Sequence, residues 1–149
     1  MSDATSLRDL VGVELGPSPW LEVSQGRIDA FAQATDDRQW IHVDPERAAR
    51  ESPFHTTVAH GFLTLSLCVP LLYGVVPLGD RTAINYGVNR VRFPSPLPAG
   101  SRIRARFVVE SVEPVTGGEQ AVLVTTVERE GGNRPICVAE LVLRLLDRP

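Results

Sequence analysis

The chain has 149 residues, about one domain on the usual length prior, and its 43% apolar and 22% charged residues are ordinary for a globular protein. All 15 basic residues are arginine, which excludes a lysine Schiff base, a pyridoxal-phosphate lysine and the lysine of a phosphate-binding P-loop. The net charge of -3 gives no electrostatic reason to expect a nucleic acid or an anionic membrane as partner.

No G-x-S-x-G elbow or G-x-G-x-x-G turn occurs, so neither a serine hydrolase nor a dinucleotide fold is indicated. The N-terminal stretch carries Asp3 and Asp9 and has no basic segment leading into an apolar one, unlike a signal peptide. The longest apolar run, 58–76, is interrupted by His60, Gly61, Pro70 and Gly74, whereas a bilayer span needs about 20 mostly apolar residues. A soluble, cytoplasmic chain with one domain over residues 1–149 is expected. Cys68 and Cys137 both lie in apolar runs and read as small buried packing residues.

In chain order, a short strand is expected around 20–23. A helix follows, with Ser24 as its N-cap and Ile28, Phe31, Ala32 and Thr35 at helical spacing. Asp44-Pro45 opens a short helix over 45–50, proline fitting the first helical position. Ser52-Pro53 closes it, because the residue before proline is pushed out of the helical region. The segment 62–73 is apolar on nearly every face, the mark of a fully buried helix, and Pro70 should kink it or lie in its last turns. Beyond Pro77 the apolar period becomes two. Strands are expected over 84–93, 101–115, 119–130 and 135–145, with Gly117-Gly118 and Gly131-Gly132 as hairpin turns. Helices first and strands after make an α+β architecture, here about five antiparallel strands curled around one long buried helix.

All three histidines fall within 42–60. Asp37 and His42 are five apart, which is not a helix-face spacing, so the chain must turn to bring them together. An acid and a base flanking one small space is what water activation needs, and imidazole titrates near neutrality. An isolated Asp-x4-His pair is more commonly a cap and a hydrogen-bonded histidine, so the pair alone does not fix the chemistry. Gly61 opens the buried helix, whose first amides lack partners within it and carry partial positive charge. An amide there could receive the charge that builds on a carbonyl oxygen. His60 reads either as a helix-start structural residue or as part of the substrate-binding wall, and His55 as an exposed loop residue. No two histidines share an i, i+4 face and the cysteines lie elsewhere, so no metal site is expected.

These residues together resemble the MaoC-like dehydratases, which include the R-specific enoyl-CoA hydratases. The resemblance rests on Phe31-Ala32, Thr35, Asp37, Ile41-His42 and Asp44, then Ala59-His60-Gly61-Phe62-Leu63 at the start of the central helix. Asn85 through Phe93, with Pro96 and Gly100, and Pro135 through Glu140 look like the family's later strands. Gln39-Trp40 stands where many members have Asn-Pro, a variant similar to the nodulation-protein-N-like branch. The resemblance implies a hotdog fold that dimerises by joining two sheets. It implies Asp37 and His42 as the catalytic pair, and Gly61, with His60 and Gln39, on the oxyanion and substrate side. The implied activity is reversible hydration of a trans-2-enoyl-CoA to a (3R)-3-hydroxyacyl-CoA, with CoA present only as part of the substrate and no cofactor or metal. An acyl-CoA thioesterase and a non-catalytic acyl-CoA-binding or interaction protein are the alternatives. Arg90 and Arg92 alternate with apolar residues on one strand, and Arg102, Arg104 and Arg106 on the next in sequence. Guanidinium recognises phosphate well, which makes Arg92 and Arg104 candidates for the CoA phosphates against the alternative of a solvated outer face.

Overall fold

The computed structural model describes residues 6–149. A 3-10 turn at Leu7–Leu10 and the two-residue strand β1 (Glu14–Leu15) precede the first predicted elements. Strand β2 (Leu21–Val23) leads into helix α1 (Gln25–Thr35). Ser24 caps that helix, its hydroxyl accepting from the Arg27 amide at 3.2 Å. Helix α2 (Trp40–Val43) is a single turn and α3 (Pro45–Glu51) follows it, with the Asp44 carboxylate accepting from the Arg47 amide at 3.0 Å. Helix α4 (Gly61–Leu72) is the long apolar one, and Pro70 sits in its last turn. Four long strands complete the chain: β3 (Thr82–Arg92), β4 (Ser101–Val115), β5 (Gly118–Arg129) and β6 (Cys137–Leu146).

All six strands join one antiparallel sheet in the order β1-β4-β5-β6-β3, with β2 also on β4. The expected five strands thus become six. The extra one, β1, is too short to show a period, and its register against Val108 and Phe107 is set by tertiary contact. Irregular registers at Asn85/Gly87, Val88/Arg90 and Val109/Ser111 bend the sheet, since a bulge adds twist and curvature to its strand. Leu63, Leu67, Cys68, Leu71 and Leu72 of α4 share one core with Phe107, Leu123 and Leu145 of the sheet. A curled antiparallel sheet closed on one long helix is the hotdog architecture expected above, but α4 is not buried on every face. The sheet covers the side carrying Leu63, Leu67 and Leu71, and Phe62, Ser66 and Pro70 on the other side are exposed.

Both cysteines are fully buried and unpaired. Hydrogen bonding to Cys137, and then burial, push the Cys68 thiol far above its ordinary range, so Cys68 is core rather than nucleophile.

The strand carrying Arg90 and Arg92 does not lie beside the strand carrying Arg102, Arg104 and Arg106. β3 pairs with β6, leaving β6 and β5 between it and β4. The reason is topological: β4, β5 and β6 form a meander through tight turns, and β3 can join only at its far edge.

Candidate active site

The residues predicted for catalysis converge where α1, the α2 turn and the start of α4 meet. Asp36 takes the left-handed conformation at the end of α1 (φ 59), which turns the chain so that Asp37 can reach α2. Asp36 itself pairs with Arg38 at 2.6 Å in the open. His42 lies on α2 and is only 8% exposed. Ligand-type atoms of Asp37, His42 and His60 lie within 4.8 Å of one another. His60, expected on the substrate side, stands beside the pair itself, a closeness that spacing does not encode because positions 37, 42 and 60 lie in separate segments. His55 takes no part and sits exposed in a turn at φ 58.

The hydrogen bonds fix the tautomers. His42 Nδ1 lies 2.7 Å from the Val58 carbonyl, and a carbonyl can only accept, so Nδ1 carries the proton and Nε2 keeps its lone pair. His60 Nε2 donates to the main-chain carbonyl of Asp37 at 2.9 Å. The two imidazoles stack, centroids 3.8 Å apart and planes 24° apart. This leaves one free imidazole nitrogen, His42 Nε2, near one carboxylate.

Burial, above all, lowers the His42 pKa from its ordinary 6.5; the Val58 hydrogen bond raises it, His60 lowers it and Asp37 raises it. Net, the imidazole stays neutral and basic at pH 7, as a proton acceptor must.

Two residues that sequence reasoning missed hold this ring in place. The Gln25 side-chain amide donates to the His42 carbonyl at 2.7 Å, and the buried Thr57 hydroxyl donates to the Gln25 side-chain oxygen. Both lie outside any motif, and only their hydrogen bonds reveal them. Gln39 is the N-cap of α2, exposed and making no side-chain capping bond. Trp40, beside it, packs under the Arg47 guanidinium at 4.3 Å.

Gly61 begins α4 as expected. The space its missing Cβ would occupy is not open to a ligand, however, because the Phe93 ring lies 2.9 Å from that point. A side chain here would have to push the Phe93 ring aside. A cavity of about 270 Å³ starts at this contact, bordered by Gly61, Thr64, Phe93, Leu97 and Ile136. A larger space of about 900 Å³ lies beyond the other end of α4, against Leu10, Leu15, Val75, Pro77 and Leu78, and includes none of the predicted site residues. The two candidate arginines are far from equivalent. Arg104 is ion-paired with Glu128 and lies over the Trp20 ring at 4.3 Å, whereas Arg92 is exposed and donates only to the Val91 carbonyl. Arg92 immediately precedes Phe93.

The chain belongs to the MaoC-like family: it matches the MaoC like domain over residues 7–131. It is an enzyme of the hydratase and dehydratase class. It is 50% identical over 135 residues to 3-hydroxyacyl-thioester dehydratase Z of Mycobacterium tuberculosis, covering 89% of each chain. It is 45% identical over 148 residues to nodulation protein N of Rhizobium meliloti, covering 95% of this chain and 88% of the other. Among solved structures, the (R)-hydratase from A. caviae involved in PHA biosynthesis superposes with a TM-score of 0.75 at 27% identity, covering 91% and 96% of the two chains. Among the described residues no helix is long and apolar enough to cross a membrane.

The balance of influences on His42 gives a direct expectation. Its imidazole should titrate below 6.5, and Asp37→Asn should lower the midpoint further by removing the one nearby negative charge that favours the protonated ring. Nitrogen-15 NMR of the imidazole reads both.

Proposed function

We propose that the protein catalyses the reversible hydration of a trans-2-enoyl-CoA to a (3R)-3-hydroxyacyl-CoA. The observation that carries this reading is the His42 ring, its Nδ1–H tied to the Val58 carbonyl and its Nε2 free beside Asp37. Similarity to 3-hydroxyacyl-thioester dehydratase Z and to the (R)-hydratase supports the thioester substrate and the hand of the product.

In the hydration direction, a water held between Asp37 and His42 loses a proton to His42 Nε2 as its oxygen bonds to C3. The C2=C3 electrons shift toward the thioester oxygen, and the Gly61 amide at the head of α4 stabilises the charge there. Removing one such donor typically costs about 3–4 kcal/mol of barrier. C2 then takes the proton back from the Asp37–His42 pair. The hydrogen and hydroxyl of one water thus end on C2 and C3, with no net oxidation and no role for a redox cofactor.

Asp37→Asn and His42→Ala should each lower turnover at least about 10²-fold, the usual scale for acid–base groups. The double variant should be little worse than the worse single one, because groups acting as a unit are not additive. Asp36→Asn is the silent control. Loss of crotonyl-CoA absorbance measures hydration, and free-thiol release measured in parallel identifies a thioesterase instead.

Of the two candidate arginines, the free one beside Phe93 is proposed to meet the CoA phosphates. Arg92→Ala should raise KM for the CoA thioester and make it less salt-sensitive, because the salt-screened contact with phosphate is gone, while leaving turnover intact. KM for a short pantetheine thioester, which lacks those phosphates, should not change. Arg104→Ala should alter neither value.

A homodimer is proposed through β3. Residues 84–90 of that strand are exposed, including Ile84, Tyr86 and Val88, and the strand pairs only with β6. A long apolar edge left unpaired invites another strand. Sedimentation at micromolar concentration should give twice the monomer mass, and a monomer there would count against the pairing.

A further inference from the structure

His60 stands at the N-cap of α4, where Ser, Thr, Asn or Asp stabilises a helix by accepting an amide proton. Its side chain makes no such bond. It is 3% exposed, and its one hydrogen bond runs to the Asp37 carbonyl, 23 positions away. One face of its ring lies on His42, and Phe31 approaches at 4.9 Å with a tilt of 57°. Nδ1 is buried without a partner among the described residues, so burying this ring leaves a polar atom unsatisfied. Capping does not account for a histidine here, and apolar packing alone would favour a ring with no polar atoms.

We propose that His60 is a positioning residue, a strut that sets Asp37 and His42 in one fixed relation to the head of α4. The inference deepens the hydration reading and rests on it for the identity of the reacting pair. The Asp37 main chain has two hydrogen bonds among the described residues: a local one from its amide to the Thr35 hydroxyl at 3.4 Å, and the long-range one from His60. The His42 ring is held at its edge by the Val58 carbonyl and on its face by His60. Gly61 is the next residue in the chain, so the carboxylate, the base and the amide that receives charge are all referenced to His60. Both ring nitrogens of His60 are turned away from substrate, Nε2 spent on a carbonyl and Nδ1 enclosed, so it acts through its neighbours. Misplacing reacting groups by about 1 Å can cost about 10²-fold.

Two substitutions separate the parts of the strut. His60→Gln keeps an N–H donor at the reach of Nε2 and loses the aromatic face; His60→Phe keeps the face and loses the donor. In folded protein, checked by thermal melting, both should lower kcat for crotonyl-CoA about tenfold or more with KM within about twofold. Both should also move the His42 titration upward, because Asp37 and His60 are the charged or titratable groups facing that ring and His60 opposes its protonation. In the wild type, the His60 Nε2–H should appear in imidazole NMR as a slowly exchanging proton. Absence of that proton, or a His42 titration and kcat unchanged in both variants, overturns the strut. The NMR readouts need no turnover: a shifted His42 titration in an enzyme that does not hydrate enoyl-CoA would overturn the hydration reading and leave the strut standing.

Discussion

Burial of α4 is the constraint from which the remaining structure follows. Its Leu63, Leu67, Cys68, Leu71 and Leu72 are all buried, each such aliphatic side chain contributing about 1.5–3 kcal/mol relative to exposure. The sheet curls over this face, with register irregularities in β3 and β4 supplying the bend, while Phe62, Ser66 and Pro70 line the opposite, exposed face of the helix. The head of the helix lies next to the stacked rings of His42 and His60. The partial positive charge of that head therefore lies beside the α1–α2 segment that brings Asp37 and His42.

The site is a small polar assembly set against this apolar core, and its order comes from main-chain carbonyls. Val58 defines the His42 tautomer, and the Asp37 carbonyl holds His60. Gln25 and Thr57 extend the same network behind His42. Carbonyl acceptors are fixed by the fold and do not titrate, so a histidine donating to one has a set tautomer, although the Val58 bond by itself favours the charged ring. Burial then disfavours the charged ring. The result is a base that is neutral because of where it sits, beside a carboxylate that remains in contact with solvent.

Sheet order determines what the outer surface can do. By joining β6, β3 leaves its other edge open and carries Arg92 and Phe93 to the head of α4. The arginines of β4 face Glu128 of β5, Glu130 just beyond its end and the Trp20 ring, a set of pairs on a solvated face. Two arginine rows that look alike in sequence thus sit in unlike surroundings.

Much of this protein could be read from its sequence, wherever the signal was local. Ser24 and Asp44 cap helices because their side chains reach an amide three residues on, and the glycine pairs at 117–118 and 131–132 end strands because Gly117 and Gly131 adopt positive φ. The continuous apolar run of α4 and the alternation of β4, predicted at its observed limits of Ser101–Val115, are equally local. Asp37, His42 and Gly61 were legible as a motif. Tertiary structure alone decided the addition of β1 to β4, the placement of β3 beyond β6, the stacking of His60 on His42, the support from Gln25 and Thr57, and the packing of the Phe93 ring against Gly61. Each of these joins residues distant in the chain through register, stacking or a single hydrogen bond, and no period or spacing along one segment encodes a contact whose other half lies on another.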